Sequence, residues 1–335
     1  MARSRAAVQR SPAGSQLKLG GDPIPTGQNA ATVAVDGRTV ALTNLNKIFF
    51  AELGLTKGDL LRYYARIAPA LLPHVAGRPM VMKRYPNGAA GDFFFMKRAP
   101  SPRPQWIRTC AVEHRSGNVI DFPVIDDVPS LLWLINLGCI DLNPWYAPCD
   151  DTNRPDYLHL DLDPFGASFS AVREAALIVR DVFTSLGMTP YAKTTGSKGI
   201  HVYVAIARAL TQHEVWEVAK ALSHAIAQAH PDLLIVEYRV AKRRPDRVLL
   251  DYNQNSFGRT LASVYSVRPN PAAAVSTPVT WEEVEAGCET GDFTLANVPA
   301  RVQALGDLWA PLDAKRGRFD LEPLAKRLGV LEGRA

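Results

Sequence analysis

Strand-like and helix-like segments interleave along this chain, which predicts the α/β or α+β class. Two kinds of segment carry that prediction. Gly58 to Val75 and Ser170 to Leu186 place apolar residues at helical spacing. Tyr157 to Leu162, Ile200 to Ile206 and Arg247 to Tyr252 are short apolar runs of strand length and composition. No internal repeat is present, and 335 residues suffice for one large domain or two modest ones around a substantial core.

Each element follows in order. Residues 1 to about 30 are rich in Ser, Gly, Pro, Ala and Arg without periodicity, so a disordered basic tail is expected there. One domain is expected over residues 31–313. Thr32 to Leu42 reads as a hairpin about Asp36-Gly37. The helix from Gly58 turns Leu60, Leu61, Tyr64, Ile67 and Leu71 to one side and ends before Gly77. Pro79 to Tyr85 and Asp92 to Lys97 read as strands around Pro86-Asn87-Gly88, and Gln105 to Val112 and Asn118 to Val124 as two more. Val128 to Cys139 reads as a buried helix. The helix from Ser170 stops at Gly187. Pro190 to Thr195 and Ile200 to Ile206 flank the turn Gly196-Ser197-Lys198-Gly199, and a helix follows from Thr211 to about Ala229. Arg247 to Tyr252 and Ala262 to Val267 read as strands. A Pro-rich loop from Pro269 to Pro278 leads to a short helix at Trp281, and residues 314–335 read as a charged tail or peripheral helix.

Composition excludes several classes. Apolar residues make up 47% of the chain and the formal net charge is +5. That mild basic bias suits an anionic partner without requiring one. Cys110, Cys139, Cys149 and Cys288 show no C-x-x-C spacing, which argues against a zinc site or disulfide framework and for a reducing cytoplasm. The longest apolar stretch, Leu131 to Ile140, is interrupted by Asn136 and Gly138 and is too short to span a bilayer. The N-terminal arginines precede no apolar signal-peptide core.

Chemistry concentrates in Tyr157-Leu158-His159-Leu160-Asp161-Leu162-Asp163-Pro164. On a strand, His159, Asp161 and Asp163 share one face and the leucines the other. Two carboxylates so close repel unless a cation lies between them. Arg247-Val248-Leu249-Leu250-Asp251 delivers a third acid at a strand end. Three such acids make an oxygen cage suited to Mg²⁺ or Mn²⁺, with coordination sites left for phosphate. The segment Lys193-Thr194-Thr195-Gly196-Ser197-Lys198-Gly199-Ile200-His201, a Gly-rich turn with hydroxyls, a Lys and backbone N–H groups, is a plausible phosphate cradle without the Walker A spacing. Arg268 closes a strand and suits a bidentate grip on phosphate. Nearer the N-terminus stand Lys47, Lys57, Lys83 and Arg84, then Phe93-Phe94-Phe95-Met96-Lys97-Arg98. An exposed aromatic beside a lysine is a stacking platform for bases. Lys242, Arg243, Arg244 and Arg247 add a basic cluster. Read singly, each feature has an ordinary structural explanation: a solvated strand end, a hairpin turn, a core histidine, a strand buried on both faces.

Taken together, the segments "LTNLNKIFF", "GLTKGDLLRYYA", "RPMVMKRYPNG", "FFFMKR", "LHLDLDP", "TTGSKGIHVYV", "LLDYNQN" and "STPVTWEEV" resemble the polymerase domain of bacterial ligase D, within the archaeo-eukaryotic primase superfamily. The resemblance runs from about Val40 to about Leu312. With no ligase or nuclease sequence beside it, the chain is similar to the stand-alone primase-polymerases called type C. The resemblance implies an α+β fold with a primase-like core of mixed and antiparallel sheets flanked by helices.

It also implies roles. Asp161, Asp163 and Asp251 match metal ligands of a two-metal Mn²⁺ or Mg²⁺ site. Thr195, Ser197, Lys198, His201 and Arg268 match the groups around an incoming triphosphate. Lys47 and Lys57 match lysines that bind a 5′-phosphate across a gap. Phe94 and Phe95 match aromatics that stack on templating bases, with Arg84 and Lys97 beside the DNA. Asn143 stands where relatives usually have a nucleotide-contacting His, and Thr195 where Ser is common. The implied function is template-directed nucleotidyl transfer at short gaps or broken ends, in the nucleoid, by a monomer that prefers ribonucleotides. A separate ligase or end-binding repair protein is the implied partner. The rival readings are a catalytically silent module that binds DNA gaps or ends, and a metal-dependent phosphodiesterase.

Overall fold

The computed structural model describes residues 17–114, 117–314 and 317–331. Residues 1–16 of the expected tail lie outside that set. From Leu17 the chain is packed rather than disordered. Ile24 is buried, the Gly20 amide donates to Arg66 O at 2.9 Å, and the Arg62 guanidinium reaches Pro25 O at 2.7 Å.

The N-terminal hairpin joins β1 (Ala30–Val35) to β2 (Arg38–Thr43). Asp36 and Gly37 both take positive φ, 49° and 73°, the turn that matches the twist of a two-residue hairpin. Strands β3 (Ile48–Phe50) and β4 (Leu55–Thr56) pair before α1 (Lys57–Val75). Thr56 caps α1 reciprocally: its hydroxyl accepts from Asp59 N at 3.2 Å, and the Asp59 carboxylate accepts from Thr56 N at 2.8 Å. Then come β5 (Met80–Arg84), β6 (Phe94–Met96), the paired β7 (Thr109–Glu113) and β8 (Val119–Pro123), α2 (Val128–Asn136) and β9 (Cys139–Pro144). Strands β6-β5-β9 form one antiparallel sheet.

Two expectations need correction in this half. The helix expected to reach Cys139 ends at Asn136, because Gly138 at φ 84° turns the chain. The residues after it form β9, buried on both faces, so no alternation marked it as a strand.

The second half is β10 (Tyr157–Phe165), α3 (Phe169–Ser185), β11 (Pro190–Thr194), β12 (Ile200–Ala205), α4 (Gln212–Ala229), β13 (Leu234–Ile235) and β14 (Arg247–Asp251). After it follow β15 (Pro278–Val279), α5 (Trp281–Ala286), α6 (Val298–Leu305), α7 (Ala310–Asp313) and α8 (Glu322–Arg327). The large sheet has the order β13-β14-β10-β12-β11-β15, antiparallel except for the parallel β13–β14 pair. Within it β10-α3-β11-β12-α4-β14 is a split βαβ arrangement.

The strand expected over Ala262 to Val267 is irregular instead. Tyr265 sits at φ 62°, its amide donates to Ser276 O at 2.6 Å, and its hydroxyl donates to Asp307. Tertiary bonds thus replace a ladder there. Among the described residues no helix is long and apolar enough to cross a membrane.

Candidate active site

Strand register builds the site. Asp161 lies opposite Asp251 on one neighbour and opposite His201 on the other, and His201 lies opposite Lys193. Directly paired residues point to one face. A row across four strands therefore reads Asp251, Asp161, His201, Lys193, with Asp163 two residues along. The other face carries Leu158, Leu160, Leu162, Val202 and Leu250, all buried in the main core. Anchoring of those apolar groups forces the charged ones together.

Ligand oxygens of Asp161, Asp163 and Asp251 lie within 4.8 Å of one another. Asp251 is well held: Tyr238 OH and the Asn253 amide donate to Oδ1 at 2.8 and 3.0 Å, and Gln254 Nε2 donates to Oδ2 at 2.9 Å. Asp161 is not. His201 Nε2 is 3.0 Å from Asp161 Oδ1 but off the line of a hydrogen bond, and that oxygen has no hydrogen-bond partner among the described residues. Burial and then the Asp251 charge push the Asp161 carboxyl up to about 7. Burial, then Asp161 and Asp251, do the same for Asp163, which opens to solvent. A divalent cation among these acids removes both the repulsion and the orphaned oxygen. The all-oxygen donor set fits a hard ion, so these three residues could hold one.

Beside the acids is a cavity of about 510 Å³. Asp161, Asp163, Thr195, Ser197, Lys198, His201, Asn143 and Arg268 line it, and so do Phe95 and Lys97. The Thr195 hydroxyl accepts from the Ser197 and Gly199 amides, both at 3.1 Å, and so shapes the turn while its own proton stays free to donate. The glycines permit close approach: a Cβ on Gly199 would stand 2.3 Å from Leu162 O, and one on Gly196 2.6 Å from Arg268 Cγ. Burial, then Lys193 and Arg268, hold His201 well below the usual imidazole range, so it is neutral near pH 7.

A separate basic pocket contains Lys47, Lys57 and Arg84. Lys57 Nζ donates to Thr43 O at 2.7 Å, Lys47 Nζ to Pro86 O at 2.7 Å, and Arg84 Nε to Leu137 O at 2.8 Å. Burial, then Lys47 and Arg84, push the Lys57 ammonium down to about 8. Phe93, Phe94 and Phe95 are 50%, 42% and 61% exposed, so all three leave the core. Successive residues face opposite ways: Phe95 meets the acid-lined cavity, and Phe94 lies 5.3 Å from the Arg84 guanidinium.

Sequence reasoning missed Asp141 and Arg259 in the cavity wall, and Tyr238 and Gln254 behind Asp251; Lys193, at the head of the turn segment, joins the row through strand register. Asp141 was within reach: had Cys139 to Pro144 been read as a strand, Asp141 and Asn143 would have shared a face.

Residues 56–309 match the family described as LigD, primase-polymerase domain. The chain belongs to this family. The multifunctional non-homologous end joining protein LigD of Mycolicibacterium smegmatis is 33% identical over 278 residues, 82% of this chain and 36% of that protein. The bifunctional non-homologous end joining protein LigD of Bacillus subtilis is 30% identical over 269 residues, 79% of this chain and 42% of that protein. The chain thus spans well under half the length of these relatives. The polymerase domain from Mycobacterium tuberculosis Ligase D, solved in complex with DNA, aligns with a TM-score of 0.77 at 30% identity, covering 82% of this chain and 98% of that one. Membership makes the chain a nucleotidyltransferase of the primase-polymerase type, a class that uses divalent metal, and the expected α+β architecture is present.

Proposed function

We propose that the protein adds nucleotides, under direction of a template strand, to primer 3′ ends at short gaps or broken ends of duplex DNA. The observation that carries this reading is the three-acid cluster of Asp161, Asp163 and Asp251 beside a cavity that also holds Lys198, Arg268 and Phe95. In that arrangement the acids serve a triphosphate and the aromatic ring a base. The relatives' part in non-homologous end joining, and the DNA in the solved polymerase domain, support a DNA-repair setting.

Asp161, Asp163 and Asp251 hold two divalent cations, Mg²⁺ or Mn²⁺, which when bound neutralise the acids and supply Lewis acidity to phosphoryl transfer. Lys198 and Arg268 set positive charge against the triphosphate and the departing pyrophosphate. The Thr195 and Ser197 hydroxyls and neutral His201 offer hydrogen bonds without adding charge. Asn143 offers amide donors where relatives usually offer an imidazole. Phe94 and Phe95 stack on template bases and Lys97 sits by the phosphate backbone. Lys47, Lys57 and Arg84 take the downstream 5′-phosphate. Ribonucleotides are the preferred substrates in this reading, and the protein acts in the nucleoid alongside a ligase.

The test is extension of a labelled primer on gapped duplex, with and without the downstream 5′-phosphate, comparing NTP with dNTP. Longer primers, more of them with the phosphate and with NTP, are expected. Shortened strands instead would mark a phosphodiesterase, and a mobility shift without extension a binding module.

A further inference from the structure

Asp141 lines the nucleotide cavity and has no part in the roles above. It is 1% exposed, and its Oδ1 has no hydrogen-bond partner among the described residues. Its Oδ2 lies 3.6 Å from Arg268 Nη1, an ionic contact longer than a hydrogen bond. Its backbone oxygen accepts from Asn143 Nδ2 at 3.2 Å. A buried carboxylate oxygen left unpaired is costly, so a donor that reaches it gains binding.

Position limits the identity of that donor. Asp141 and Asn143 share the cavity face of β9. Lys83 of β5 lies opposite Asp141, and Phe95 of β6 lies opposite Lys83. Crossing this sheet from β9 to β6 runs from the Arg268 contact to the exposed ring. A nucleotide with its triphosphate at Arg268 and its base at Phe95 lays its sugar over the ground between them. Ionised phosphate oxygens have no proton to give and are repelled by a carboxylate. A base amine would favour some bases over others, which a template-directed enzyme cannot use. The donor that every nucleotide carries at that place is a sugar hydroxyl.

We propose that Asp141 Oδ1 accepts a hydrogen bond from a sugar hydroxyl, 2′ or 3′, of the incoming nucleotide, and so sets sugar specificity. This rests on the nucleotide-cavity reading above. A site built around a substrate hydroxyl rejects the analogue that lacks it, because its own polar group is then left unpaired.

The experiment measures kcat/KM for single-nucleotide addition by the wild type, Asp141→Ala and Asp141→Leu, with NTP, 2′-deoxy-NTP and 3′-deoxy-NTP. Leucine removes the acceptor while still filling the site, and serves if the alanine variant fails to fold. The wild type should lose about 10- to 100-fold with whichever analogue lacks the bonded hydroxyl, the range expected for a charge-assisted bond. In the variants that ratio should fall toward one, and the variants should match the wild type within about threefold on that analogue. The 2′ and 3′ arms identify the hydroxyl. Equal losses by a variant on all three nucleotides would overturn the proposal and leave Asp141 as a support for Arg268. Equal use of all three by the wild type would overturn it too. Absence of extension by every protein with every nucleotide would instead count against the polymerase reading itself.

Discussion

Replacing Asp161 by asparagine should stabilise the metal-free protein at neutral pH while ending its activity. In the folded state the Asp161 carboxyl titrates near 7, against an ordinary value of 3.8, through burial and the neighbouring Asp251 charge. The folded protein binds that proton more tightly than the unfolded chain does. Stability therefore falls as pH rises from about 4 to about 7, and the full penalty stands above 7. At about 1.4 kcal/mol per pH unit the penalty is about 4 kcal/mol at most. Asparagine removes the charge but leaves amide groups to satisfy, at a cost of about 1–3 kcal/mol. The net gain at pH 8 is then roughly 1–3 kcal/mol, or roughly 1–4 °C in Tm for a chain of this size. At pH 4 the gain should reverse into a loss of about 1–3 kcal/mol, because the wild-type carboxyl is already neutral in the folded state and only the amide cost remains. Scanning calorimetry in chelator at both pH values, then with added Mg²⁺ or Mn²⁺, reads these terms directly. Metal should raise the wild-type Tm and leave the variant nearly unmoved. A variant less stable than the wild type at pH 8 in chelator, or an equal response of both to metal, would show that Asp161 carries no buried charge penalty and no metal.

Three further outcomes follow from the geometry. The Lys57 charge is present below about 8 and is lost as pH rises through that value, although a bound anion draws the value upward. The affinity advantage of a 5′-phosphate on gapped DNA should thus shrink above about pH 8. Lys57→Met should abolish most of it and lower the slope of log affinity against log salt by about 1, whereas equal effects on hydroxyl-ended DNA would contradict the assignment. Phe95→Ala should weaken template binding in fluorescence anisotropy by about 1–3 kcal/mol per stacked base with Tm unchanged, since the ring is already exposed. An unaltered affinity would remove Phe95 from the interface. Gly196→Ala adds a Cβ 2.6 Å from Arg268 Cγ and 2.8 Å from Val275 C at a φ of 64°. It should raise the nucleotide KM by roughly tenfold, about 1.4 kcal/mol, with DNA affinity preserved. An unchanged KM would show that Arg268 does not grip the nucleotide.

Much of this architecture was legible because its signals are local. The alternation of leucine with acid along β10 depends on neighbours in sequence, and so does the helical spacing of apolar residues in α1. Asp251 was found because its strand ends in an acid after an apolar run. What could not be read depends on distant chain. Strand β9 is buried on both faces and so shows no alternation. The segment around Tyr265 has strand-like composition, yet bonds to Ser276 and Asp307 hold it in a left-handed kink. The register that sets Lys193 beside His201, and the pairing of Asp141 with Arg268, exist only once the strands are side by side. The three phenylalanines were ambiguous in sequence because a doubly buried strand and an exposed platform have the same composition. Their exposure rules out the doubly buried strand.

In the proposed function Asp161, Asp163 and Asp251 act together to join a nucleotide to a primer end. Primer extension on gapped duplex by the wild type and by Asp161→Ala, with circular dichroism confirming an intact fold, tests it most directly. The wild type should extend the primer only in the presence of a divalent metal, and the variant should not extend it at any metal concentration. Extension by Asp161→Ala at the wild-type rate would contradict that joint role.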